Sequence, residues 1–297
     1  MRVRVIVNIG GGTAQGDEEE AERIKAAFAA SGVEAEIRPT ESGEIADAFR
    51  DAAAAEGLDA VVAGGGDGTI SCAAGQLAGT GRPLGLLPLG TLNHLARDAG
   101  IPMELEAAVA VICAGRTRAI DLAEVNGRVF VNNSSVGLYP DMVRLREAQQ
   151  ERTGRGKRLA MLSASLTTLR HFRRHRLWIS APGLETPVRT PLLFVGNNRY
   201  QVNLFALGQR ERLDEGVLCL YAVRAKSRAH LLWAGIRGIF GRLDQQRDFV
   251  TAYVTEAEIS SSRPTLALSA DGETVRMDTP LRYRIRPKAL ILIVPER

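Results

Sequence analysis

The chain is 297 residues long, 45% hydrophobic and 24% charged, with a net charge of +4 at pH 7, the composition of an ordinary soluble globular protein with one large or two medium cores. A charge that small singles out no partner, and no apolar run approaches the roughly 18 residues of a membrane span. Cys72, Cys113 and Cys219 are isolated thiols without CxxC spacing, which argues against a disulfide framework or a zinc site and for a reducing, cytoplasmic setting.

The start, MRVRVIVNIGGG, runs straight into a strand-like pattern and lacks the apolar core and cleavage site of a signal peptide. Residues 2–7 carry β-branched side chains at alternate positions, and 17–32 read as a helix with Ala21, Ile24 and Phe28 on one face and Gly32 past its end. A strand at 33–38, a helix at 43–57, a short buried strand at 59–65, a helix at 70–78, a strand at 83–89 and helices at 91–100 and 104–115 follow. Strands alternating with helices imply parallel βαβ units and a doubly wound α/β sheet. In such sheets ligands sit at the carboxyl ends of strands.

After Asp121 the pattern changes. Residues 121–138 are two strand-like runs around Asn126-Gly127, a hairpin signal, and about 141–172 is mostly helical. Short alternating runs follow at 176–181, 190–198, 216–223, 248–261, 265–277, 281–287 and 289–295, as in an antiparallel sandwich or barrel. The expected fold is therefore a doubly wound α/β domain over residues 1–122 and an antiparallel β-sandwich over 123–285.

Residues 64–69 read Gly-Gly-Gly-Asp-Gly-Thr between a strand and a helix. Glycine removes the Cβ and permits close approach to the backbone, and N–H groups at a helix N-terminus receive anions such as phosphate. A plain tight turn is the competing reading. Two further loops at strand ends, NIGGGTA (8–14) and PLGTLNHLAR (88–97), favour a nucleotide cleft. Neither the Walker pattern nor the dinucleotide fingerprint fits.

In order along nearly the whole chain, GGGDGT, PLGTLNHLARDAGIP, DLAEVNGRVFVNNSSVG and LSADGE resemble the diacylglycerol kinase catalytic family, in its soluble bacterial lipid kinase branch, related to sphingosine kinases and NAD kinases. The resemblance implies ATP bound between the two domains, a last strand within 286–297 that returns to complete the first domain, Mg2+ as cofactor and a lipid hydroxyl as acceptor. It assigns nucleotide contacts to Asn8, Gly10, Gly11, Gly12, Thr40, Gly64, Gly65, Gly66, Asp67, Gly68, Thr69, Thr91 and Asn93. Glu273 takes the position of the catalytic base, with Asp271 beside it and Asp67 oriented toward Mg2+–ATP. A structural Mg2+ would be held by Glu215 and the backbone of Arg212 and Val217, with Asp121 in an adjoining network. Two departures are plain: Glu215 stands where the family has Asp, and His94 follows Asn93 where the family has Asp.

Between Arg144 and Arg176 ten Arg or Lys residues face two acids. With the apolar residues up to Trp178 interleaved, this stretch is a candidate contact with an anionic membrane, and 230–243 is a second. The alternatives are a solvated basic helix and a helix packed on the sandwich. No nucleic-acid motif accompanies either segment. The protein is expected in the cytoplasm, peripheral on the inner face of the membrane, and a homodimer is allowed. Two other readings stay open: an NAD kinase-like enzyme, and a nucleotide- or lipid-binding regulator without turnover, which His94 keeps in play.

Overall fold

The computed structural model describes residues 1–9, 14–137, 175–182, 184–200, 210–224 and 249–296. The helical stretch near 141–172, the second membrane candidate at 230–243 and the loop residues Gly10, Gly11 and Gly12 lie outside them.

The first half alternates β1 (Arg2–Asn8), α1 (Ala14–Ala30), β2 (Glu34–Thr40), α2 (Ile45–Ala54), β3 (Ala60–Gly65), α3 (Asp67–Leu77), β4 (Leu84–Pro88), α4 (His94–Asp98) and α5 (Leu105–Ala114). Strands β2, β1, β3 and β4 are parallel neighbours in that order. Every residue of β3 and β4 is buried, as expected of central parallel strands covered on both faces. The cover is two helix pairs, α1 with α5 and α2 with α3. Their apolar stripes, Ile24 and Phe28, Phe49, Ile70 and Leu77, and Ile112, join Val5, Ile6 and Val62 in one core. Each such burial is worth about 1.5–3 kcal/mol.

The second half comprises β5 (Thr117–Val125), β6 (Arg128–Phe130), β7 (Asn133–Gly137), β8 (His175–Ala181), β9 (Leu184–Thr190), β10 (Leu192–Asn197), β11 (Leu218–Val223), β12 (Phe249–Val254), β13 (Glu256–Ser261), β14 (Thr265–Ala270), β15 (Glu273–Asp278) and β16 (Leu281–Ile293). An antiparallel six-stranded sheet runs β12-β11-β10-β7-β14-β15. Its inward residues Leu193, Val195, Leu218, Leu220, Leu266 and Leu268 pack with Leu177, Ile179, Ile259, Leu281 and Tyr283 of the other sheet. The α/β half and the antiparallel half are those read from the sequence.

The two halves share one sheet. Strand β16 carries it across: its Leu292 pairs in parallel with Leu84 of β4, its earlier residues pair antiparallel with β13, and β5 runs antiparallel along it. The sequence suggests two strands here, broken at Pro287. The structure has one strand with a bulge between Arg286 and Leu290. The Lys288 N–H inside the bulge donates to Asp121 Oδ1 at 2.8 Å, so a buried carboxylate takes the place of the lost ladder bond.

Other differences are local. Strand β9 (LETPVRT) is more polar than a typical strand and carries Pro187, which hid it from pattern reading. The expected run at 248–261 divides between the two sheets as β12 and β13, and the Thr255 carbonyl at the junction accepts the Ile285 N–H at 2.9 Å. Helix α4 begins at His94 rather than Thr91, because Asn93 adopts a left-handed conformation with φ 50°. The Asn126-Gly127 turn joins β5 to β6 with φ 46° and 83°, as a two-residue hairpin turn requires. No helix among the described residues is long and apolar enough to cross a membrane.

Candidate active site

The carboxyl ends of β1, β3 and β4 meet at one edge of the sheet. Asn8 ends β1, and its Nδ2 donates to Thr69 Oγ1 at 3.1 Å. Its Oδ1 accepts Ser42 Oγ–H at 3.0 Å. Thr40 ends β2, and its carbonyl accepts the Ile9 N–H at 3.1 Å. The buried Thr40 hydroxyl donates to the Arg38 carbonyl at 3.1 Å, so this side chain is turned into the fold.

Gly65 and Gly90 are required by close approach. A Cβ on Gly65 would lie 2.6 Å from Thr69 Oγ1, and one on Gly90 would lie 2.4 Å from Gly66 Cα. Two backbone loops touch there, and the Leu89 N–H donates to the Gly65 carbonyl at 3.2 Å. Gly66 caps α3 without a side-chain hydrogen bond. The first-turn N–H groups of an α-helix have no partner inside the helix, and at α3 they open beside the exposed Gly68.

Asp67 joins the two loops. Its Oδ2 accepts the Asn93 N–H at 3.0 Å, and its Oδ1 accepts the His94 N–H at 2.7 Å. The Asn93 side chain is buried and holds its own loop, donating to the carbonyls of Pro88 (3.0 Å) and Gly90 (2.7 Å) and accepting the Gly90 N–H (3.2 Å). Thr91 and His94 are exposed at the rim.

The other wall is the β14–β15 hairpin. Its two turn residues, Asp271 and Gly272, have φ 47° and 88°. Asp271 Oδ2 accepts Ser71 Oγ–H at 2.5 Å and the Val131 N–H at 2.7 Å, while Oδ1 accepts the N–H groups of Asn132 (2.8 Å) and Asn133 (3.1 Å). Burial pushes this carboxyl up from its ordinary value, and the four donors pull the other way. With both oxygens engaged, Asp271 positions the hairpin against α3. The hairpin then presents Glu273, whose Oε1 lies 3.6 Å from where a Cβ on Gly68 would be. Its Oε2 accepts a hydrogen bond from Arg128 Nη2. The Glu273 side chain is 59% exposed.

A row of directly paired residues crosses the outer face of the six-stranded sheet: Thr274, Ser269, Ser135, Phe194, Tyr221 and Thr251. The hydroxyls of Thr274, Ser269, Ser135 and Thr251 are buried without a hydrogen-bond partner among the described residues. Thr274 follows Glu273 directly, and Ser269 and Ser135 lie two residues from Asp271 and Asn133, roughly 7 Å along their strands.

The residues matched to a structural Mg2+ also accept hydrogen bonds from the protein. Glu215 Oε2 accepts the Arg199 N–H at 3.0 Å, and the Val217 carbonyl accepts the Asn198 N–H at 2.9 Å. Asp121 Oδ2 accepts the Gly216 N–H at 2.6 Å, its other oxygen being held by Lys288. The Arg212 side chain pairs with Asp214 at 3.0 Å and holds that carboxyl below its usual range. Among the described residues no three His, Cys, Asp or Glu side chains gather as a metal cluster. The matched oxygens of Glu215, Val217 and Asp121 each accept one N–H and keep a lone pair.

Arg210 has no role in the sequence reading, yet it ties α4 to the sandwich. Its buried guanidinium donates to Asp98 Oδ2 (2.7 Å), the Val131 carbonyl (2.7 Å) and Asn132 Oδ1 (2.8 Å). No local pattern foretells a partner 112 positions away.

Residues 2–125 match the family model of the diacylglycerol kinase catalytic domain. The chain is 32% identical over 281 residues to a Pseudomonas fluorescens protein named "Probable lipid kinase YegS-like", covering 94% of this chain and 91% of the relative. A Pseudomonas aeruginosa protein of the same name is 32% identical over 284 residues, with 92% and 90% covered. The fold also matches the crystal structure of a diacylglycerol kinase from Bacillus anthracis with a TM-score of 0.69, covering 99% of this chain and 97% of that one at 19% identity.

Proposed function

The chain belongs to the diacylglycerol kinase catalytic family, and from that premise we propose that it is an ATP-dependent lipid kinase that phosphorylates a hydroxyl of diacylglycerol or a related lipid. One observation carries the reading: the Glu273 carboxylate stands over Gly68 at the open N-terminus of α3. That places a candidate base where a phosphate would be held.

In this reading the first-turn N–H groups of α3 and the loops ending β1 and β4 hold the ATP phosphates. The acceptor oxygen attacks the γ-phosphorus, the bond from that phosphorus to the β–γ bridging oxygen breaks, and ADP leaves. Glu273 takes the hydroxyl proton. Mg2+ carried with ATP, when bound, neutralises phosphate charge. Each Asp67 oxygen accepts one N–H and keeps a lone pair, so Asp67 is the residue that would face it. The acceptor lies along the hydroxyl row from Thr274 to Thr251, whose O–H groups lack a hydrogen-bond partner among the described residues and suit ester or hydroxyl oxygens. Trp178, 55% exposed on β8, lies beside Arg176. Both belong to the Arg144–Trp178 segment that we assign to the membrane surface.

The test is incubation with Mg2+, γ-labelled ATP and a mixed lipid extract, alongside Glu273→Ala. Label in a chloroform-soluble product that disappears in the variant is the expected result and identifies the acceptor. ATP binding without transfer to any lipid would select the silent regulator instead, and transfer to NAD would select the NAD kinase-like enzyme.

A further inference from the structure

We propose that Arg128 is a γ-phosphate ligand that clamps the base while the nucleotide site is empty and releases it when ATP arrives. The inference rests on the kinase reading and adds to it the event that frees Glu273.

The placement follows from β6. This three-residue strand pairs with β5 through the Asn126-Gly127 turn, and Val129 lies against α3, 3.9 Å from where a Cβ on Gly75 would be. Arg128, one residue earlier, reaches Glu273 where that residue approaches the opening turn of α3. There its Nη2 bonds one oxygen of Glu273, while the other oxygen stands over Gly68. Cys72, on the next turn of α3, registers both charges. Burial raises its thiol first, Glu273 raises it further, and Arg128 opposes them.

A guanidinium and the N-terminus of a helix therefore converge on a single carboxylate. Both are positive and rich in N–H donors, and their meeting point is suited to an anion with several oxygens. In this structure the Glu273 carboxylate stands at that meeting point. The ion pair is exposed, 39% on the arginine and 59% on the glutamate, and pairs of that kind are weak. A guanidinium on a phosphate makes short, paired, charge-assisted bonds that are among the strongest available. A γ-phosphate seated at α3 outcompetes Glu273 for Arg128, and the freed carboxylate turns to the acceptor hydroxyl. ADP lacks that phosphate and leaves the clamp closed.

The experiment measures binding of ADP and of a non-hydrolysable ATP analogue to wild type, Arg128→Gln and Arg128→Lys, with thermal melting as the folding control. The expected result is a roughly ten- to hundredfold weaker analogue affinity in Arg128→Gln, unchanged ADP affinity, and partial recovery in Arg128→Lys. Equal losses for both nucleotides, or none for either, would overturn the proposal. A wild type that transfers phosphate to lipid while Arg128→Gln binds the analogue normally sinks this inference alone. A wild type that binds no nucleotide removes the kinase reading and this one with it.

Discussion

The glycine loop at 64–69 and the hairpin turn at 271–272 form facing walls of one site by opposite means. The loop works by omission: side chains are absent so that Gly66 and Gly90 can touch and α3 can open toward a ligand. The hairpin works by saturation, with four donors fixed on the Asp271 carboxylate so that Glu273 is held two residues away. Omission leaves a visible mark in a sequence, since four glycines in five residues are more than a turn needs. Saturation leaves none, because the donors are mostly backbone groups from elsewhere in the chain.

The sharpest division between the walls is chemical. Glu273→Gln should lower kcat by roughly 10²–10⁴-fold while nucleotide affinity and melting temperature stay near wild type. A variant that instead loses ATP affinity would place Glu273 with the loop. Next in size is Asp271→Ala, which strands three backbone N–H groups and Ser71. A stability loss of about 3 kcal/mol is expected in denaturant titration, with activity falling alongside. Gly90→Ala should cost about 2 kcal/mol through overpacking and weaken nucleotide binding, as read by calorimetry; an unchanged affinity would show that contact between the loops is not what builds the phosphate site. The smallest effect is expected for Ser71→Ala. It removes one of the four donors to Asp271, and about 1 kcal/mol of stability should go with it.

The same contrast explains what could be read beforehand. The parallel half was legible because its strands are short apolar runs flanked by helical periodicity and glycine, and the three loops fell at strand ends as the βαβ pattern requires. Within ADGE the resemblance set Glu273 as the base with Asp271 beside it. Only the hydrogen bonds reveal that Asp271 holds the turn while Glu273 keeps an exposed carboxylate paired with Arg128. Asp67 looked like a residue aimed at a ligand, and its two hydrogen bonds show that it also fastens the next loop. The role of Asp121 in the bulge and that of Arg210 were out of reach for the same reason: a bulge filled by a carboxylate and a buried ion pair exist only after distant segments meet.

The shared strand β16 has a consequence for how the protein is made. Leu290, Leu292 and Ile293 complete the core beneath β4 and α5, so the first 115 residues leave the ribosome with one edge of their sheet bare. That edge waits for nearly the whole chain to be synthesised. Long-range pairing of this kind is slow, and through the delay β4 presents an apolar edge of the sort that recruits other chains. Strand β16 is thus a seal on the α/β half, and its removal exposes that edge permanently.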